Sequence, residues 1–283
     1  MFAGTYTALV TPFHKGRVDE GAFQKLISDQ VRGGVDGIVP VGTTGESPTL
    51  GFDEHIRVIE LAVRAAKGRV KVLAGTGANA TAEAVHLTQA AEAVGADGSL
   101  QVAPYYNKPS QEGLFQHFKK IARSTKLPLI LYSIPGRCNI AIEVPTVQRL
   151  AKACKNIVGI KEAGGDADRV SQLRAALGQR FTILSGDDAL TLPFMAVGAE
   201  GVISVASNII PRQVSKMVNA FAAGKADAAL KLHQKYYPLF KDLFIETNPV
   251  PTKAALAMLG KCTEEYRLPL CKMSAPNRAQ LAK

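Results

Sequence analysis

Eight short apolar runs, each closed by Gly, Pro or a polar turn, recur along the chain at 5–11, 37–42, 70–75, 99–103, 128–134, 157–161, 181–185 and 201–205. Their centres, Ala8, Ile38, Leu73, Leu100, Ile130, Gly159, Ile183 and Ile203, fall 20 to 35 residues apart, the length of a strand plus a returning helix. The stretches between them have helical periodicity, as at Phe23, Leu26, Ile27 and Val31 or at Ile56, Ile59, Val63 and Ala66, with charged residues on the opposite side. Strands that read as nearly continuous apolar runs are covered on both faces, as in a parallel sheet with helices outside. Eight alternating β and α units predict a (β/α)8 TIM barrel, with an open doubly wound sheet as the competing arrangement.

After the eighth run the chain holds more helix than one barrel unit needs, at 211–224, 225–244, 251–259 and 275–282. The expected division is a catalytic barrel over residues 1–224 and a C-terminal helical appendage over 225–283, punctuated at Asn248-Pro249-Val250-Pro251. No low-complexity linker separates the two, so the appendage is expected to dock on the barrel.

Composition narrows the function without naming it. With 283 residues, 47% hydrophobic and 20% charged, the chain has the makeup of a globular protein with material for a full core. Its formal charge of +10, from 34 Lys and Arg against 24 Asp and Glu, is spread along the chain and mixed with acids. No basic arm points to nucleic acid, and a distributed positive field suits small anionic substrates. The start, MFAGTYTALVTPF, lacks a basic region and a cleavage signal, and no run reaches the roughly 18 apolar residues of a membrane span, so a cytoplasmic protein is expected. Cys138, Cys154, Cys262 and Cys271 form no CxxC pair and the five histidines no HExxH, which predicts reduced thiols and no metal site.

Barrel chemistry sits at the C-terminal ends of the strands, and here those ends are polar. In KNIVGIKEAGGD, alternation puts Ile157, Gly159 and Lys161 on one face, with the glycine leaving space there. If that face is the barrel interior, Lys161 enters a desolvated pocket, where its pKa falls and its lone pair becomes available for a Schiff base; otherwise it is the first solvated residue after a strand. Val41-Gly42-Thr43-Thr44-Gly45-Glu46 offers two hydroxyls and backbone N–H groups to a carboxylate, or else a tight turn with a helix cap. Tyr132 can donate or relay a proton and Arg137 can grip a carboxylate, or else they are a tyrosine at a barrel rim and a surface arginine. Consecutive Tyr105 and Tyr106 point opposite ways, so one can fill its own barrel mouth while the other faces a neighbouring subunit. Gly75-Thr76-Gly77-Ala78-Asn79-Ala80 imitates a dinucleotide fingerprint, but Asp97 precedes the next strand instead of ending it, which argues against that reading.

Taken together, FAGTYTALVTPF, VGTTGESPTL, AGTGANATAEAV, APYYNKPSQEGLFQHF, LYSIPGRCN, GIKEA, LSGDDAL and GVISV, in this order and spacing, resemble the dihydrodipicolinate synthase family. The resemblance runs from Phe2 to about residue 260; the wider class is the pyruvate-dependent Schiff-base aldolases, which includes N-acetylneuraminate lyase. It implies a lyase in which Lys161 condenses with pyruvate, Thr44 and the GTTGE backbone hold the pyruvate carboxylate, and Thr43, Tyr132 and Tyr106 form a proton relay. Tyr106 would reach in from a neighbouring chain. Arg137 would bind the carboxylate of aspartate semialdehyde, while Gly186 and Ile203 would line the pocket through backbone groups. No cofactor is implied, because the protonated imine is the electron sink.

The resemblance further implies a homotetramer built as a dimer of dimers, and an inhibitor site for lysine at a subunit interface near Ser47, His55, Asn79, Glu83 and Tyr105. Phe52 and Pro48 depart from the histidine and small residue of lysine-sensitive members. Ser133 and Cys138-Asn139 depart from the usual Asn after the tyrosine and Thr-Gly after the arginine. Two rival functions remain: another pyruvate aldolase acting on a sugar acid or hydroxyproline-derived acid, and a non-catalytic pyruvate-binding protein.

Overall fold

The computed structural model describes residues 2–283. The eight predicted strands are present as β1 (Gly4–Ala8), β2 (Gly37–Val39), β3 (Lys71–Gly75), β4 (Gly98–Val102), β5 (Leu129–Ser133), β6 (Ile157–Glu162), β7 (Thr182–Ser185) and β8 (Gly201–Ser204). All neighbours are parallel and β1 pairs with both β2 and β8, so the sheet closes into a barrel and the open doubly wound alternative is excluded. The closing seam pairs Gly4 with Gly201. Gly201 has φ +149°, and a Cβ there would sit 1.9 Å from the Gly4 carbonyl oxygen, so no other residue fits.

Two strands end three residues earlier than their apolar runs. Strand β2 stops at Val39 because Pro40 has no N–H to continue the ladder, and Val41 turns the chain with φ +51°. Strand β1 stops at Ala8; beyond it the Val10 N–H donates to Asn208 Oδ1 at 3.2 Å and Thr11 Oγ1 to the Gly45 carbonyl at 2.7 Å. Those bonds lead the run into the loops of the barrel mouth.

The outer helices are α1 (Glu20–Gly33), α2 (Phe52–Ala66), α3 (Thr81–Ala93), α4 (Gln111–Arg123), α5 (Val144–Ala153), α6 (Ala167–Leu177), α7 (Thr191–Ala196) and α8 (Pro211–Ala222). Helix α1 starts where Asp19 accepts from the Ala22 N–H and buries Phe23, Leu26, Ile27 and Gln30. On α2 the buried face is His55, Val58, Ile59, Leu61, Ala62 and Ala66, with Ile56 and Val63 at its edges. The face is wider than the predicted stripe because α2 packs between α1 and α3 as well as on the sheet.

Three further helices follow, α9 (Ala226–Asp242), α10 (Val250–Met258) and α11 (Ala275–Leu281). They are fastened to the barrel by buried polar contacts. Lys253 on α10 and Glu46 in the loop after β2 are both fully buried and meet at 2.6 Å, with Lys253 Nζ also 4.2 Å from the Phe13 ring centroid. The Arg267 guanidinium binds both carboxylate oxygens of Glu54 and the Thr49 carbonyl. Among the described residues no helix is long and apolar enough to cross a membrane.

Candidate active site

Two cavities open at the C-terminal ends of the strands and share Gly42, Thr43, Leu100, Tyr132, Ile134 and Arg137. The inner one, about 50 Å³, reaches Lys161, Thr44, Gly186, Val205, Phe244 and Asn248. The outer one, about 210 Å³, is bounded by Ser47, Pro48, Tyr105 and Cys138.

Lys161 points into the barrel, as the alternation along β6 requires, and is 6% exposed. Its neighbour Glu162 turns outward, bonded to Arg169 of α6 at 2.8 Å and to the Gly164 N–H at 2.7 Å. Across the parallel pair, Lys161 stands opposite Tyr132, and its Nζ lies 4.1 Å from the ring centroid. No hydrogen bond or ion pair holds the ammonium among the described residues. Burial therefore pulls its pKa from the usual 10.5 to about 7; the Asp188 carboxylate acts against this and the Arg137 charge adds to it. The space beside Gly159 is not open, since a Cβ there would meet the Thr182 carbonyl at 2.6 Å and Ile130 Cδ1 at 2.7 Å. Room for the amine comes from Gly186 instead, where a Cβ would lie 3.0 Å from Lys161 Cε.

Burial raises the Tyr132 pKa, with the Arg137 charge and, less strongly, the Thr43 hydroxyl opposing the rise. In the loop after β2, the Gly45 and Glu46 N–H groups bond back to Gly42 and Thr43 at 3.0 and 3.1 Å, so they are consumed by the turn. Among the described residues the Gly42, Thr43 and Thr44 N–H groups make no such bond, which narrows the backbone donors this run can offer an anion to these three. Thr44 is buried, its Oγ1 accepting from Asn248 Nδ2 at 2.9 Å, and Arg137 donates to the Asn248 carbonyl at 3.1 Å.

Asp188 is the acidic residue of this end of the barrel that sequence reasoning passed over. It accepts from Ser204 Oγ and from the Val205 and Ala206 N–H groups at 2.9 and 3.0 Å, yet burial still raises its pKa. Asn248 was missed too; its only signal was the Asn-Pro-Val-Pro punctuation. Gly186 lines the inner cavity as expected. Ile203 is fully buried opposite Tyr6 on the neighbouring strand, and Val205, two residues on, lines the cavity. Tyr106, at φ +73° and 92% exposed, is not brought into its own site.

Ser47 and Tyr105 face the outer cavity. Around them, Asn79 donates to the Tyr105 carbonyl at 3.3 Å, and burial together with the Glu83 charge raises the Tyr105 pKa. His55 Nε2 lies 2.8 Å from the Gly75 carbonyl, behind the cavity wall, and burial lowers its pKa. Phe52 is half exposed and stacks edge-on with His86 at 5.9 Å. The Ser133 hydroxyl turns away from the mouth to accept from the Ile142 N–H at 3.3 Å. Asn139 adopts φ +58° where Gly is usual, a conformation Asn tolerates. The decoy acid Asp97 receives the Val72 N–H at 2.8 Å at the foot of the barrel, a purely structural bond. Among the described residues no group of three or more His, Cys, Asp or Glu could hold a metal ion.

A closed (β/α)8 barrel with a desolvated, unpaired lysine at the end of β6, ringed by hydroxyls and an arginine, defines the class of lysine-dependent aldolase-type lyases. The profile of the Dihydrodipicolinate synthetase family matches residues 1–283, and the chain belongs to that family. It is 53% identical over 283 residues to the 4-hydroxy-tetrahydrodipicolinate synthase of Endomicrobium trichonymphae, covering 100% of this chain and 97% of the relative. The solved 4-hydroxy-tetrahydrodipicolinate synthase of the thermoacidophilic methanotroph Methylacidiphilum fumariolicum SolV superposes with TM-score 0.99 at 58% identity, covering 100% of this chain and 94% of the other. A lysine-bound dihydrodipicolinate synthase from Cyanidioschyzon merolae superposes with TM-score 0.97 at 42% identity, covering 99% and 96%.

Proposed function

We infer that the chain catalyses the Schiff-base aldol condensation of pyruvate with L-aspartate-4-semialdehyde, followed by cyclisation to 4-hydroxy-tetrahydrodipicolinate, in diaminopimelate and lysine biosynthesis. The observation that carries this reading is the state of Lys161: buried, without a bonded partner, its pKa pulled to about 7, and faced by Tyr132. A neutral amine attacks the pyruvate carbonyl, and loss of water leaves an iminium whose positive nitrogen acidifies the methyl group. Deprotonation gives an enamine that attacks the aldehyde carbon; the oxygen formed there takes up a proton. The amine of the semialdehyde portion then attacks the iminium carbon, closes the ring and expels Lys161.

Thr44, with the Thr43 and Thr44 N–H groups, fits the pyruvate carboxylate; Arg137, shared by both cavities, fits the carboxylate of the aldehyde. Tyr132 and Thr43 are assigned the relay. Tyr106, turned outward, is assigned to the site of a second copy, which makes the working form an oligomer, a tetramer of two tight dimers. Lysine is assigned to the region of Ser47, His55, Asn79, Glu83 and Tyr105, where Glu83 would pair with an ammonium. The lysine-bound relative supports this, while Phe52 and Pro48 alter its walls. Four free cysteines suit a reducing cytoplasm.

Borohydride added with pyruvate should leave a covalent adduct on Lys161, located by mass spectrometry. An intact protein that takes up no pyruvate, or a Lys161→Arg variant with undiminished turnover, overturns the reading. Comparing kcat/KM for aspartate semialdehyde with that for sugar-derived aldehydes decides the second substrate.

A further inference from the structure

Asn248 is, among the described residues, the one hydrogen-bonded to both anion grips of the inner cavity, and it comes from outside the eight βα units. It lies between α9 and α10. Its Nδ2 donates to Thr44 Oγ1 at 2.9 Å, its Oδ1 accepts from Thr252 Oγ1 at 3.1 Å, and its backbone carbonyl accepts from Arg137 at 3.1 Å. Asn248, Thr44 and Thr252 are all buried, so none of these groups has bulk water as an alternative partner. The buried Lys253–Glu46 contact at 2.6 Å ties the helix that follows Asn248 to the same loop as Thr44.

A threonine hydroxyl has one proton to give and two lone pairs to receive. An amide nitrogen can only donate, so the bond from Asn248 occupies a lone pair of Thr44 and leaves the Thr44 proton free to be given elsewhere. Thr252 completes the orientation by holding the amide oxygen on the opposite side. Thr44 lines the inner cavity with Lys161. A carboxylate bound there accepts hydrogen bonds only, so a Thr44 hydroxyl locked as a donor meets it without reorientation.

We propose that Asn248 is the positioning residue for the pyruvate grip, holding the Thr44 hydroxyl as a hydrogen-bond donor toward the substrate carboxylate. This rests on the reading of the site as a pyruvate-binding Schiff-base centre. Because Arg137 is held through the backbone carbonyl, changing the Asn248 side chain acts on the pyruvate grip and spares the aldehyde grip.

The test combines Asn248→Ala, the near-isosteric Asn248→Leu, Thr44→Val and the double variant Asn248→Ala/Thr44→Val, with KM and kcat for both substrates and the melting temperature of each. Loss of one buried hydrogen bond to substrate should raise the pyruvate KM by about ten-fold in each Asn248 variant. The aldehyde KM should stay within about two-fold, since the bond to the backbone carbonyl remains. In the Thr44→Val background, Asn248→Ala should add nothing. Multiplicative effects in the double variant, or an unchanged pyruvate KM in both Asn248 variants, overturn the proposal. A Leu variant that melts with the wild type and still shows the KM split separates positioning from loss of fold. Failure of the unmodified protein to trap pyruvate at Lys161 would instead remove the functional reading beneath it.

Discussion

Tyr132 and Lys161 stand directly opposite each other on adjacent parallel strands, with the Lys161 ammonium 4.1 Å from the Tyr132 ring centroid. The aromatic face is a favourable contact for the ammonium, and a weak one beside a carboxylate. Both side chains are nearly excluded from water, and burial moves their pKa values in opposite directions: the lysine down, the tyrosine up. Each is thereby favoured in its neutral form, the state in which an amine can act as a nucleophile and a phenol can give a proton.

This pairing sets the pH dependence of pyruvate capture. The rate of borohydride-trappable adduct formation should rise with pH through about 7 and flatten above it, as the Lys161 amine loses its proton. The Asp188 carboxylate raises that pKa, so Asp188→Asn should move the rising limb to lower pH. Stopped-flow or quench measurements from pH 5 to 9 would contradict the assignment if the limb stayed in place or moved up.

Lys161 should also cost stability. Its folded-state pKa lies below the unfolded value of 10.5, so between about 7 and 10.5 the unfolded chain binds more protons than the folded one. The lysine penalty is fully present below about 7 and is relieved as pH rises toward 10.5, and stability attributable to this residue rises across that window. Lys161→Met should therefore be more stable than the parent at pH 6, by a difference on the order of 5 kcal/mol before relaxation, and the gap should close by pH 10. Urea unfolding at the two pH values measures it.

The outward position of Tyr106 makes a subunit-mixing experiment decisive. Tyr106→Phe and Lys161→Arg should each be poorly active alone. Mixed oligomers should regain activity, because a site with its own Lys161 then receives an intact Tyr106 from the other copy. If Tyr106 served its own chain, co-refolded mixtures would show no more than the sum of the two parents.

The Lys253–Glu46 contact, with both side chains fully buried, predicts asymmetric mutational costs. Lys253→Met leaves an unpaired carboxylate in the interior and should destabilise by about 3–5 kcal/mol. Adding Glu46→Gln should recover a substantial part of that loss in thermal or denaturant unfolding. Equal stability of the two variants would mean that the pair carries no such desolvation penalty.

Much of this was legible in order along the chain. Apolar runs and their spacing are local properties, and every predicted strand exists with ends shifted by no more than three residues. The shifts fall where a local rule intervenes, as at Pro40. The inward aim of Lys161 follows from the period-two alternation of β6 once the sheet is closed. What pattern alone could not supply was the surroundings of that amine. The GIKEA motif names the lysine, but whether it stays charged depends on who stands near it, and Tyr132 arrives on β5 while Gly186 and Asp188 arrive in the loop after β7.

The chain's own order of residues thus determined the barrel and the chemistry-bearing strand ends, Lys161 among them, because these rest on periodicity and on residue types at fixed local positions. Tertiary structure alone decided three things. Val205, just past the end of β8, lines the inner cavity, since closure of the seam with β1 brings that end of the strand to the barrel mouth. Gly186 rather than Gly159 makes room for Lys161, since neighbouring strands fill one gap and not the other. And Asn248 meets Thr44 across 204 residues, a contact that only the docking of α10 over the barrel mouth can create.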